Sequence, residues 1–356
     1  MATVTIGHSK TYDWSKGALV NLQHTNITTN SGADGWMVLA FEASTTEKAW
    51  SNLTDWTVSA NGTATATSDG TELTLTNPTG VVNISKTSFL DADVTHTVLN
   101  LIKFDSYGTT AAQWNGFTLY GGDGTRRRAY NWHSDGTYED LYNYSPPVGD
   151  AVKYDTTYPI DTSRYHIRGY YNADGADADV MVIDGEEILT GIDTYTSSSD
   201  SRKLMLENGG NPVTVKVLWT KHWNTPTPWE TTDATWTSTY DDAIFDAGSG
   251  NQWKKLDWTA VTANSTGLVM KVRCAATSGG LSSATYETVT SGTDFTTKDR
   301  YIQIECTMSD ASSGRFTPVL KDLTMTDEEG SGPVTPTVNK SGNILRKFIR
   351  MCRATL

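Results

Sequence analysis

The sequence predicts an all-β protein built of two consecutive sandwiches, and three observations carry that expectation. Apolar and polar residues alternate in short runs. Turn signals cut those runs about every 8–12 residues. Threonine, a strand-favouring residue, makes up roughly one residue in six. Helical periodicity is nearly absent before residue 340. The 356 residues suffice for two or three domains. With 12 Trp, 16 Tyr and only 19% charged residues, the chain can fill sizeable cores and is no candidate for wholesale disorder. A formal charge of −13 argues against a chain-wide grip on nucleic-acid phosphates, so no nucleic acid is expected as partner. No apolar run reaches the roughly 18 residues of a membrane span. The first residues, Met1 to Ile6, show neither a charged n-region nor an apolar h-region, so manufacture without a secretory signal is expected.

Residues 1–29 read as an arm or as first strands, and residues 30–223 as the larger sandwich. Early in the latter, Trp36–Phe41, Trp56–Val58, Thr71–Leu75, Val81–Ile84 and Val98–Ile102 are short alternating runs. Asn61-Gly62, Asp69-Gly70 and Asn77-Pro78 lie between them. Further on, Arg164–Tyr171 reads as a strand, Asn172–Gly175 as a hairpin turn and Asp179–Ile183 as the returning strand. Asp184-Gly185 is a second tight turn, followed by Lys203–Leu206, a loop at Glu207–Pro212 and the strand Val213–Trp223. The Pro- and Thr-rich stretch 224–235 reads as a linker. A smaller β-sandwich is expected over 236–327, a flexible linker over 328–340 and a basic amphipathic tail, helix or arm, over 341–356. Cys274 and Cys306 each end an alternating strand pattern on its core side. Two buried free thiols are the expected state, with a cross-strand disulfide as the alternative.

The order His166-Ile-Arg-Gly-Tyr170, a turn, Val180-Met-Val-Ile-Asp-Gly-Glu186, a small-residue loop and a closing strand resembles the second half of concanavalin A-like jelly rolls of the laminin G and pentraxin type. The resemblance spans 30–223 and implies a lectin-like fold. Ile244-Phe-Asp-Ala-Gly248, Trp253-Lys-Lys-Leu-Asp-Trp258 and Asp299-Arg-Tyr-Ile-Gln303, with Thr317–Leu323 after them, resemble a small sandwich module of phage virion and bacterial surface proteins. There it serves as a spacer or an interaction domain.

Chemistry is sparse. Glycoside hydrolases of the concanavalin A-like fold place carboxylates on one strand as Glu-x-Asp-x-x-Glu, which aims an acid and a nucleophile into one cleft. No Glu here begins that pattern. The pairs Glu139-Asp140 and Glu186-Glu187 are adjacent and so fall on opposite faces of a strand. Nor does the chain carry a nucleophile elbow, a zincin helix or a phosphate loop. His8, His24, His96, His133, His166 and His222 are scattered. No catalytic residue, and no enzyme, is therefore expected. Sugar rings could stack on the aromatics of the stretch 121–147, where Arg126, Arg128, Trp132, Tyr138 and Tyr142 are the candidates; the alternative is that these aromatics fill the sandwich or a subunit interface. Asp174, Asp177 and Asp179 could hold Ca²⁺, although Asp and Gly also suit a plain hairpin turn; no other cofactor is expected.

Charge is uneven. Residues 331–356 carry +5 with no acid, against −18 for the remainder. In the tail Ile344, Leu345, Phe348, Ile349 and Cys352 would line one face of a helix, with Arg346, Lys347, Arg350 and Arg353 largely on the other. So short a helix is marginal alone and orders against a partner, whether another protein, its own acidic body or an anionic surface. Together these features suggest a tailed-phage fibre, spike or decoration subunit. It would be a homo-oligomer in an extracellular particle, anchored to other virion proteins by its tail and displaying a domain that binds cell-surface polysaccharide. A prokaryotic surface glycan-binding protein is the alternative reading, and a polysaccharide-degrading lyase or hydrolase a third.

Overall fold

Alternation of apolar and polar residues gives each strand one face for a core, and the long pairings of this chain decide which core that is. The computed structural model describes residues 3–329 apart from stretches of which 25–35, 87–95, 107–115, 145–151, 173–178 and 193–202 are the longest; 330–356 lie outside it. The strands begin with β1 (Thr3–Gly7), β2 (Gly17–Val20), β3 (Leu22–His24), β4 (Met37–Leu39), β5 (Thr46–Ala49), β6 (Thr57–Ala60), β7 (Thr65–Ser68), β8 (Leu73–Asn77) and β9 (Val81–Lys86). They continue with β10 (His96–Ser106), β11 (Gly116–Gly122), β12 (Arg127–Ser134), β13 (Tyr138–Tyr144), β14 (Val152–Pro159), β15 (His166–Asn172), β16 (Asp179–Ile183), β17 (Glu186–Ile192), β18 (Lys203–Gly209) and β19 (Val213–Trp223). The last are β20 (Ala234–Ser238), β21 (Asn251–Val261), β22 (Gly267–Ala275), β23 (Glu287–Val289), β24 (Tyr301–Ser309) and β25 (Val319–Glu329). A single helical turn, α1 (Asp242–Phe245), precedes β21.

The larger unit is an all-β jelly-roll sandwich, as the resemblance implies. Its back sheet runs β17-β16-β15-β10-β19-β8-β7, with β5 also paired to β19. Its front sheet runs β14-β13-β12-β11-β18-β9-β6. Between them lies a core of Trp50, Leu73, Leu75, Val82, Ile84, Val98, Phe104, Tyr170 and Val215. The hairpin β16–β17 turns at Asp184 and Gly185, with φ of 52° and 82°. Two successive positive φ values define the tight hairpin turn that an Asp-Gly pair favours.

The second unit is a smaller sandwich. One sheet is β2-β20-β24-β22-β23; the other holds β1, β25, β4 and β3 in that order, with β21 on the second side of β25. The amino-terminal strands complete it: β1 pairs with β25 from Thr3↔Thr326 to Gly7↔Asp322, and β2 pairs with β20. Trp236 meets Trp14 edge to face at 5.9 Å and donates from Nε1 to the Trp14 carbonyl at 3.1 Å. Gly17 belongs here because a Cβ would lie 2.3 Å from the Trp236 ring.

Cys274 and Cys306 are both buried and free. Antiparallel register sets Cys306 opposite Met270 and Cys274 opposite Ile302, four residues apart along the β22–β24 ladder. At about 3.4 Å per residue that separation is beyond the reach of a disulfide. Burial pushes the Cys274 thiol up to about 12 and raises the Cys306 thiol as well.

The two units share one core. Leu99, Leu101, Ile167, Tyr171, Val180 and Val182, on the back sheet's other face, cluster with Met37, Val38, Leu39, Val319 and Leu320. The middle of the back sheet is thus buried on both faces, which is why Arg164 and His166–Tyr171 are all inaccessible. Segment 224–235 is not a loose tether. Trp229 is fully buried, stacks on Phe41 at 4.7 Å and donates from Nε1 to Tyr171 Oη at 2.7 Å. The apolar surface of that one indole outweighs the Pro/Thr composition that suggests mobility.

Candidate functional site

In the front sheet, register decides what each face carries. Val82 and Ile84 of β9 are fully buried in the jelly-roll core, so residues level with them on neighbouring strands fall on the core face. Leu206 pairs with Ile84, Leu119 with Leu206, Tyr130 with Leu119 and Asn143 with Tyr130. The opposite face carries the positions in between. Asn83, Glu207, Thr118, Asn131, Tyr142 and Lys153 stand side by side in one row across six strands. On one side of it, His133, Asp140 and Asp155 form a parallel row that continues to Gly116 and Gly209. On the other, Met205, Tyr120, Ala129 and Tyr144 form a third.

By register this face therefore carries four tyrosine positions (Tyr120, Tyr138, Tyr142 and Tyr144), amide and hydroxyl residues, and carboxyl-bearing residues beside glycines. Asp140 directly opposite Asp155 is an arrangement that costs stability in a sheet. The front sheet's closest contacts outside itself are with β7, β8 and β19 on its core side.

The five residues singled out for sugar stacking divide. Tyr138 and Tyr142 lie on the β13 face that joins this row, whereas Arg128 and Trp132 have the register of the core face. Arg126 lies outside the described residues. Glu207, Asn131, Thr118 and Lys153 escape local reading. Glu207 belongs to a strand and not to the loop that Asn208-Gly-Gly-Asn suggests, because β18 is hydrogen-bonded on both sides, to β9 and β11, as far as Gly209. Glu139 and Asp140 fall on opposite faces, as their adjacency requires.

Asp179 opens β16, while Asp174 and Asp177 lie outside the described residues. Among the described residues no three His, Cys, Asp or Glu side chains converge on a cation position. The tail residues Ile344, Leu345, Arg346, Lys347, Phe348, Ile349, Arg350 and Arg353 also lie outside the described residues.

A second polar constellation sits at the junction of the units. Asp184 is fully buried and accepts from His166 Nδ1 at 2.7 Å, Arg164 Nη2 at 2.8 Å and the Ile167 amide at 2.8 Å. His166 Nε2 faces Asp161 at 3.3 Å. Burial alone would raise the Asp184 carboxyl, but Arg164 and His166 reverse that and hold it well below the usual carboxylate range. Burial opposes ionisation of Asp161 in the same way, and His166 and Ser163 overcome it. Arg164 also covers the Trp36 ring at 5.2 Å, and Lys321 of the second unit covers it at 4.2 Å while pairing with Glu186 at 2.9 Å. His166 is thus a packed structural residue, which matches its place in an alternating strand.

No family model and no curated protein matches the chain. Similar solved structures include a putative β-glucanase from Mycobacterium abscessus, 13% identical, covering 51% of this chain and 100% of its own, with a TM-score of 0.36. The metal-free carbohydrate recognition domain of Emp46p is 10% identical over 49% of this chain and 89% of its own, at a TM-score of 0.35. The Bacillus licheniformis β-glucanase is 15% identical over 51% and 98%, at 0.34. A glycosidic hydrolase and a transglycosylase also match. These matches overturn the expectation that the chain is not an enzyme: jelly rolls of this kind are found in glucanases and lectins alike, so one absent strand motif does not decide the matter. At this similarity the likeness is one of fold.

Proposed function

We propose that the chain binds glycans on the outer face of the front sheet. The observation that carries this reading is the row Glu207, Thr118, Asn131, Tyr142 and Lys153, where hydrogen-bonding residue types stand in register with a tyrosine and a third row brings Tyr120 and Tyr144. A saccharide needs that combination, because its ring faces are apolar and its rim is hydroxylated. Processing of the bound glycan belongs to the same reading, since His133, Asp140, Asp155 and Glu207 share the face.

The test is a polysaccharide and oligosaccharide panel scored for binding and for reducing-end release, with Tyr142→Ala and Glu207→Gln beside the parent. Binding that weakens by about tenfold or more in Tyr142→Ala supports the reading. Absence of binding across the panel, or binding indifferent to both substitutions, overturns it. Reducing-end release lost in Glu207→Gln identifies processing.

Display on a tailed-phage particle is a second reading, favoured by the all-basic residues 331–356 against an acidic body. On this view the tail inserts its apolar face into a neighbouring virion protein. Deleting 340–356 should leave a folded protein that no longer joins particles; particles that incorporate the shortened chain normally would refute it.

A further inference from the structure

A cleft of about 300 Å³ lies where β19 leaves the back sheet for the connecting segment. It abuts the core on the back sheet's outer face, so it is separate from the front-sheet row. Its lining includes Glu42, Thr45, Asn224, Thr227, Trp223 and Trp229. Hydrogen bonds set the walls before any ligand arrives. The Glu42 amide donates to the Pro228 carbonyl at 2.9 Å, Trp223 Nε1 to the Glu42 carbonyl at 3.0 Å, and the Asn224 amide to Thr45 Oγ1 at 3.1 Å. Thr227 Oγ1 donates to Thr225 Oγ1 at 2.9 Å. Behind them Phe41 packs on Trp229 at 4.7 Å and on Trp223 at 5.2 Å. Little reorganisation is therefore needed on binding.

We infer that this cleft takes a neutral saccharide ring, independently of the front-sheet site. Size comes first: the volume is at the small end of small-molecule sites, about 300–1,000 Å³, which suits one ring or the end of a chain. Chemistry follows. Threonine hydroxyls and an amide can both donate and accept, as sugar hydroxyls do. Among the described lining residues there is no Lys, Arg or His, and the Glu42 carboxylate disfavours phosphate, sulfate and uronate. Trp229 is fully buried and Trp223 is only 3% exposed, so the indoles back the cleft and the hydroxyls lead recognition.

The experiment titrates glucose, galactose, N-acetylglucosamine, cellobiose and tetramethylammonium separately into the full chain, with tryptophan fluorescence and calorimetry as readouts. Variants are Ala43→Trp, which fills the cleft from an exposed position, Asn224→Ala, Glu42→Gln and, as a control on the other site, Tyr142→Ala. The expected result is saturable binding of a neutral sugar, about tenfold or more weaker in Ala43→Trp and in Asn224→Ala, retained in Glu42→Gln and in Tyr142→Ala, with unchanged melting temperatures. No saturable binding of any neutral sugar overturns the inference. So does binding that survives Ala43→Trp, or that disappears only with Tyr142→Ala. Tetramethylammonium binding lost in Glu42→Gln, with no sugar binding, would assign the cleft to a cation instead.

Discussion

The two sheets of the jelly roll are built of the same alternating strands and differ in what packs against them. The middle strands of the back sheet are covered on both faces, by the front sheet and by the second unit, and polar residues buried there bond internally. Thr220 bonds Asn100 at 2.6 Å and Trp50 bonds Thr220 at 3.0 Å, with both sheet residues fully buried. The front sheet needs only one face for its core, which leaves Tyr142, Asn131 and Glu207 in register on the other. The lesson is a division of labour. Burying a sheet twice secures the joint between units, and on the proposed reading the second face of its partner is the one that takes the glycan.

The comparison breaks most readily at the joint. Trp229→Ala removes a fully buried indole shared by both units, and should cost about 3–5 kcal/mol in urea unfolding. A loss below about 1 kcal/mol would mean the units do not depend on one another through this residue.

Asp184→Asn tests the same joint through charge. It leaves Arg164 buried beside a neutral partner and should cost on the order of 3 kcal/mol at pH 7. Asp184 and Asp161 have depressed folded-state values, so their contribution is full above the unfolded value of about 4 and is lost as pH falls below it. Parent stability measured from pH 6 down to pH 3 should therefore fall below about pH 4, and the Asp184→Asn curve should be flatter there. Parallel curves would contradict that assignment.

Thiol chemistry gives a smaller, sharper check. Native protein should leave Cys274 and Cys306 unlabelled by an alkylating probe at pH 8, and denaturation without reductant should expose both. A mass showing them joined would contradict the register.

Much of this architecture is legible in the sequence. Asp184-Gly185 announces its hairpin, and alternation in Leu268–Cys274 and Ile302–Cys306 puts both thiols in the core. What local pattern does not reveal is pairing between distant strands. Nothing in Thr3–Gly7 says that it joins Val319–Glu329, and the Pro/Thr composition of 224–235 hides the weight of Trp229. The candidate face was half visible for the same reason. On β12 and β13 both parities carry polar residues, so alternation alone does not say which face Trp132 and Tyr142 take; the register with Val82 and Ile84, three and four strands away, does.

That separation is the most direct test. Trp132→Ala and Tyr142→Ala should be compared by thermal unfolding and by titration with the best glycan from the panel. The account predicts that Trp132→Ala lowers the melting temperature by several degrees. It predicts that Tyr142→Ala leaves the melting temperature unchanged and weakens binding about tenfold or more. The reverse pattern, with Tyr142 holding the fold and Trp132 holding the sugar, would contradict it.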